Sequence, residues 1–271
     1  EFEKHPKYSV IHFYAAIELF VKARLMAEHW TLIVTRKEEP DVAKFEAGDF
    51  ISVSLKEAEE VLGKALKDGL TKFEFAAFIV VAKHRNKMVH FYHHALSKKD
   101  SQELKQAIAK EQLRAWYLLH ELLTGRWASH FDKWDDRLKG IDFKLRKIKK
   151  YLQVIFDEMK PVLKKLKDEG VDFKKCPSCG FRSQQQFEHI ETLSEGFCKV
   201  CLSESKLLVA HCPHCECEMS FKDEGFERCK ECNKDIDPQE LASHLDEQSG
   251  SPKDLSVSGL PANCTYCDAS D

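Results

Sequence analysis

The sequence predicts an all-α helical bundle followed by a small cysteine-rich module, and three observations carry that division. Apolar residues recur at helical spacing through the first half, and Ser/Thr…Glu pairs that cap helices precede two of these stretches. All eleven cysteines of the 271-residue chain lie after residue 175. With 43% hydrophobic and 32% charged residues the composition is globular, and the length suits one ordinary domain plus a smaller module.

Residues 8–30 set Val10, Phe13, Ile17, Phe20, Val21 and Leu25 at the spacing of a long amphipathic helix. RKEEPDVAKFEAGDF, residues 36–50, reads as a charged loop. Ser54 then stands as an N-cap with Glu57 three residues on, a capping box that opens a second helix. Thr71 and Glu74 repeat that signature ahead of a helix holding the segment HRNKMVH, residues 84–90. A further helix runs from about Ser101 to Thr124 and ends near Gly125, where a C-cap is expected. Residues 1–130 are therefore read as a helical bundle without strands.

Charge separates the rest. Residues 1–130 carry 20 basic and 18 acidic groups, residues 131–175 carry 14 and 9, and residues 176–271 carry 8 and 18. In the basic segment, 131–175, Leu138, Ile141, Leu145, Ile148, Leu152, Ile155, Met159, Val162 and Leu166 alternate spacings of three and four, the seam of a coiled coil. Gly140 loosens the start of such a helix, Pro161 is expected to kink it, and Phe143, Tyr151 and Phe156 widen its apolar face. One reading pairs two chains along this seam; the other packs the helix on its own domain.

Four CxxC pairs follow in residues 176–240: Cys176 and Cys179, Cys198 and Cys201, Cys212 and Cys215, Cys229 and Cys232. Two residues between cysteines let both thiolates of a tight turn face one ion, and two such turns complete a tetrahedral set around Zn²⁺. Gaps of 18 residues between the first two pairs and 13 between the next two suit zinc ribbons, so two structural Zn²⁺ ions are expected. Sequential pairing is preferred because CPSCG resembles a zinc-ribbon knuckle with Gly180 in its turn. Interleaved pairing, as in a cross-braced module, stays open. The acidic tail, residues 241–271, carries a further pair, Cys264 and Cys267, without a second pair to complete it. Cys217 and His244 are left as candidates for a third ion. Four thiolates leave a zinc site at about −2 and without an open position, so catalysis by zinc is not expected. The acidic module is expected to repel phosphate and to act as a structural clip or a surface for a protein partner.

Arg85, Asn86 and His90 share the HRNKMVH helix, and Asn86, His90 and His93 fall on one side of it. The pattern Arg85-Asn86-x-x-x-His90 resembles the RNxxxH signature of HEPN domains, and AIELFVKARL, with Glu18 and Lys22, resembles the opening helix of that family. The resemblance covers about residues 8–125. It implies a dimer whose two motifs share a cleft, metal-independent RNA cleavage by attack of the 2′-hydroxyl, and a toxin-like or antiviral-defence role. Within it His90 would move the proton, Arg85 would hold the phosphate, and Asn86 would orient the phosphate or the imidazole. His84, His93 and His94 have weaker claims, and Tyr92 reads as packing.

The expected function is thus a homodimeric endoribonuclease acting on RNA, with Arg85, Asn86 and His90 catalytic and the zinc module accessory. The alternative is a non-catalytic interaction protein with structural zinc ribbons. No apolar run approaches the roughly 20 residues of a membrane span, and a cytoplasmic location is expected.

Overall fold

The computed structural model describes residues 5–90, 101–190, 193–221, 228–237, 240, 241, 243 and 244. It forms two compact units, Glu1–Glu158 and Met159–Asp271.

Helices α1 (Pro6–Met26), α2 (Val42–Ala47), α3 (Leu55–Lys64), α4 (Lys72–His90), α5 (Ser101–Thr124), α6 (Ala128–Phe131) and α7 (Asp135–Leu145) build the first unit, with the start of α8 (Lys149–Asp168). Val10, Ile17, Val21 and Leu25 of α1 are buried where the helical spacing put them. They meet Ala58 and Leu62 of α3, Phe78 and Val81 of α4, and Ile108, Leu119, Leu122 and Leu123 of α5 in one core with Trp127. Each large side chain so buried contributes about 1.5–3 kcal/mol.

Both capping boxes form. Glu57 Oε2 accepts from the Ser54 backbone N–H at 2.8 Å, and the Glu57 N–H donates to Ser54 Oγ at 3.3 Å. The Thr71–Glu74 pair does the same at 2.7 and 3.2 Å. Glu74 is buried and also accepts from Arg126 Nη2 at 2.6 Å, so the start of α4 is tied to the chain just after α5. Gly125 ends α5, for a reason other than a left-handed C-cap. A Cβ there would lie 2.5 Å from the Glu121 carbonyl oxygen, so only glycine fits that close approach.

Two segments depart from the sequence reading. The charged stretch 36–50 carries the short helix α2, capped by the Asp41 carboxylate on the Lys44 N–H and closed by Gly48 in the left-handed region. The basic segment is not one seam: a single 3-10 turn precedes α7, and the chain turns at 146–148 before α8. Ile141, Ile148 and Val162 of the expected seam are exposed, while α8 buries Tyr151, Leu152, Val154, Ile155 and Leu163. The corner is fixed by a buried carboxylate, since Asp142 accepts from Arg146 Nε at 2.5 Å and from the Tyr151 hydroxyl. Arg114 of α5 then holds Glu158 of α8 with two bonds, at 2.5 and 3.1 Å. Helix α8 continues through Pro161.

In the second unit, β1 (Phe173–Lys175), β2 (Arg182–Ile190), β3 (Leu193–Cys198), β4 (Glu204–His211) and β5 (Glu218–Phe221) form one antiparallel sheet in the order β1-β2-β3-β4-β5. The two cysteine-rich halves therefore share one sheet. The first two cysteine pairs occupy the β1–β2 and β3–β4 turns at one end of the strands, and the third occupies the β4–β5 turn at the opposite end. Strand β4 runs from one centre to the other.

Candidate functional site

All four CxxC pairs adopt the same knuckle. In each, the residue after the second cysteine has positive φ: Gly180 at 80°, Leu202 at 60°, Glu216 at 57° and Asn233 at 56°. The N–H of that residue donates to the carbonyl of the pair's first cysteine at 2.8–2.9 Å. The N–H of the first cysteine in turn reaches the carbonyl five residues on: Cys176 to Phe181, Cys198 to Ser203, Cys212 to Cys217 and Cys229 to Lys234, again at 2.8–2.9 Å. Glycine marks only the first turn in the sequence. In the others the local bonds and the gathered cysteines hold Leu202, Glu216 and Asn233 in a conformation that asparagine tolerates and that costs leucine and glutamate about 1–2 kcal/mol.

Pairing is sequential. In the first centre Cys176 Sγ lies 3.7 Å from Cys201 Sγ, and Cys179 Sγ lies 3.7 Å from Cys198 Sγ. In the second, Cys212 and Cys232 are 3.8 Å apart and Cys215 and Cys229 are 3.7 Å apart. Zn–S bonds of about 2.3 Å place tetrahedral sulfurs about 3.8 Å from one another, so both groups fit Zn²⁺ and could hold one ion each. Ligand sulfurs must lose their protons, and in each centre one thiol is lowered while its neighbours, Cys179 and Cys201 in the first and Cys215, Cys217 and Cys232 in the second, are raised. Hydrogen bonding, first from the Cys201 thiol and then from backbone N–H groups and Ser183, brings Cys198 down to about 4 against its burial. The Cys232 N–H and the Cys217 thiol help to draw Cys229 down to about 6.

Cys217 is not set aside for a third ion with His244. With Cys212, Cys215 and Cys229 it forms a group whose sulfurs all lie within 4.8 Å of one another, and among the described residues His244 joins neither group. Cys264 and Cys267 lie outside the described residues.

A second polar grouping lies on α1 and α4. Arg85, half-buried, donates from Nη1 to Asn86 Oδ1 at 3.0 Å, and its guanidinium lies 5.6 Å from the centre of the Tyr14 ring. Burial, and then the neighbouring Glu18 carboxylate, push the Tyr14 hydroxyl up to about 12, so it stays a neutral donor at physiological pH. Asn86 is exposed. His90 follows it by four residues, on the same side of the α4 backbone, and its side chain lies outside the described residues, as do Tyr92, His93 and His94. Lys22 is engaged elsewhere, donating to Ser52 Oγ at 2.9 Å. His84 Nε2 lies 2.5 Å from Glu111 Oε2 on α5, and its buried Nδ1 has no hydrogen-bond partner among the described residues.

Tyr14 and Glu111 were not singled out in the sequence. Tyr14 stands four residues before Glu18 on α1, a spacing that would have placed both on one side. Nothing local marks Glu111, because its meeting with His84 depends on how α4 and α5 pack. No helix among the described residues is long and apolar enough to cross a membrane. No family model, curated protein or solved structure matches the chain.

Proposed function

We propose that the chain is a metal-independent endoribonuclease of the HEPN kind, with Arg85, Asn86 and His90 in the catalytic roles. The observation that carries this reading is the Arg85–Asn86 pair: a half-buried guanidinium steadied by Tyr14 and by the exposed Asn86, on the helix that carries His90. A phosphodiester approaching this side of α4 meets donors from Arg85 and the amide of Asn86, which suit the charge that builds on the phosphoryl oxygens. The RNA 2′-hydroxyl attacks the adjacent phosphorus, forming the O2′–P bond and breaking P–O5′. One proton leaves the 2′-hydroxyl and one is given to the departing 5′-oxygen, leaving a 2′,3′-cyclic phosphate and a 5′-hydroxyl. His90, with an ordinary pKa near 6.5, exchanges such protons near neutral pH.

Two transfers are served by two imidazoles, one from each copy of a homodimer. Exposed Tyr8, Leu19 and Met26 on α1 and Phe73 and Val89 on α4 support that pairing, since the same two helices carry the polar grouping. The two zinc ions are structural. Eight basic against 18 acidic groups in residues 176–271, with about −2 at each tetrathiolate site, favour a basic protein partner for the module over RNA. A compartment that keeps thiols reduced, such as the cytoplasm, suits these centres. The toxin-like or antiviral-defence role rests on the resemblance.

The test is cleavage of end-labelled single-stranded RNA by the full zinc-loaded chain without added metal, compared with Arg85→Ala and His90→Ala. Products lost in both folded variants support the nuclease. Cutting that persists in both, or RNA left intact by the parent protein, favours the non-catalytic interaction module, toward which the acidic charge of the zinc unit also points.

A further inference from the structure

The second metal centre has one thiol more than an ion requires. Cys217 occupies the fifth place after the first cysteine of its knuckle, where the other three knuckles have Phe181, Ser203 and Lys234. Each of these residues contributes the same backbone carbonyl, so the turn is indifferent to the side chain there. In the first centre the equivalent Ser203 hydroxyl sits 3.0 Å from Cys201 Sγ and 3.5 Å from Cys176 Sγ. A hydroxyl in that place donates to ligand sulfurs and is a poor substitute for one. In the second centre the same place holds a sulfur, 3.4 Å from both Cys215 Sγ and Cys229 Sγ.

We propose that Cys217 and Cys232 are interchangeable fourth ligands of the second centre, on a common base of Cys212, Cys215 and Cys229. Two four-sulfur sets are available. Cys232 belongs to one through its 3.8 Å approach to Cys212, and Cys217 belongs to the other, which lies wholly within 4.8 Å. In the exchange a metal–sulfur bond to Cys232 breaks and one to Cys217 forms. The proton leaving the Cys217 thiol is taken up at Cys232, so charge and oxidation state are unchanged. The first centre has no such alternative among the described residues, because Ser203 stands in the corresponding place. Among the described residues, only the second centre can free a sulfur of its last knuckle while keeping its ion.

The experiment loads the full chain with Co²⁺ in both centres, whose visible bands distinguish four-sulfur from three-sulfur coordination. Cys217→Ser and Cys232→Ser should each retain two four-sulfur Co²⁺ ions, and the double variant should retain one. A Cys232→Ser spectrum already matching the double variant, or a single bound Co²⁺, would overturn the proposal and make Cys217 a donor like Ser203. Two four-sulfur ions in the double variant would overturn it as well. A second measurement needs no substitution: thiol alkylation of the two-zinc protein, followed by peptide mapping, should divide the label between Cys217 and Cys232. Label at Cys217 without Cys232 contradicts exchange.

Discussion

In the helical unit Trp127, Phe78, Ile17, Leu25, Leu62 and Leu119 are fully buried in one continuous core, whereas the second metal centre is covered chiefly by Ile236 and Leu241. Two of the four buried residues of that small core, Cys212 and Cys229, belong to a sulfur group that could hold a metal ion. The first region can hold itself together by burying apolar surface. Among its described residues the second buries little apolar surface, and its knuckles bring nine sulfurs into two groups whose mutual repulsion as thiolates only a cation relieves. Metal binding in such a unit is folding free energy. One chain therefore carries two independent kinds of stability, and each can be attacked without the other.

The largest expected effect sharpens that contrast. Removing zinc with a chelator should abolish the strand signal of residues 173–221 while the helical signal persists, because structural zinc contributes on the order of 10–16 kcal/mol. Circular dichroism with amide exchange measures both at once, and concurrent loss of the helices would erase the distinction. Next, Leu119→Ala should cost about 2–5 kcal/mol in the urea unfolding of the helical unit and leave the zinc stoichiometry at two. Tyr151→Phe removes one of the two donors seen on the buried Asp142 and should cost about 1–3 kcal/mol, read in the same transition. Smallest, Leu202→Gly should stabilise the first centre by about 0.5–1 kcal/mol, since glycine relieves the φ of 60° but loses more freedom on folding. Zinc competition should show tighter binding in that variant, and weaker binding would mean the half-exposed leucine packs usefully.

The same contrast explains what was legible in the sequence. Ser54–Glu57 and Thr71–Glu74 are local patterns and were read correctly, as was α5 from Ser101 to Thr124. The four CxxC pairs carry their turn geometry in their spacing, so two thiolate groups were visible before any fold. The basic segment misled because leucines and isoleucines at spacings of three and four suit one seam equally well on paper. What breaks it is the corner at 146–148, held by Asp142, Arg146 and Tyr151, and three polar residues spread over ten positions announce no such contact. Cys217 was misplaced for a related reason: counting cysteines in pairs leaves it over, while the backbone of the third knuckle carries it back onto the second centre.

The proposed chemistry makes its sharpest demand on the nucleophile. We would measure cleavage of a labelled RNA and of the same strand carrying a single 2′-deoxy nucleotide at the cut position, using the two-zinc full chain without added metal. The account predicts a 2′,3′-cyclic phosphate end on the first and no cut at that position in the second. Equal cutting of both strands would contradict attack by the 2′-hydroxyl, and with it the roles given to Arg85, Asn86 and His90.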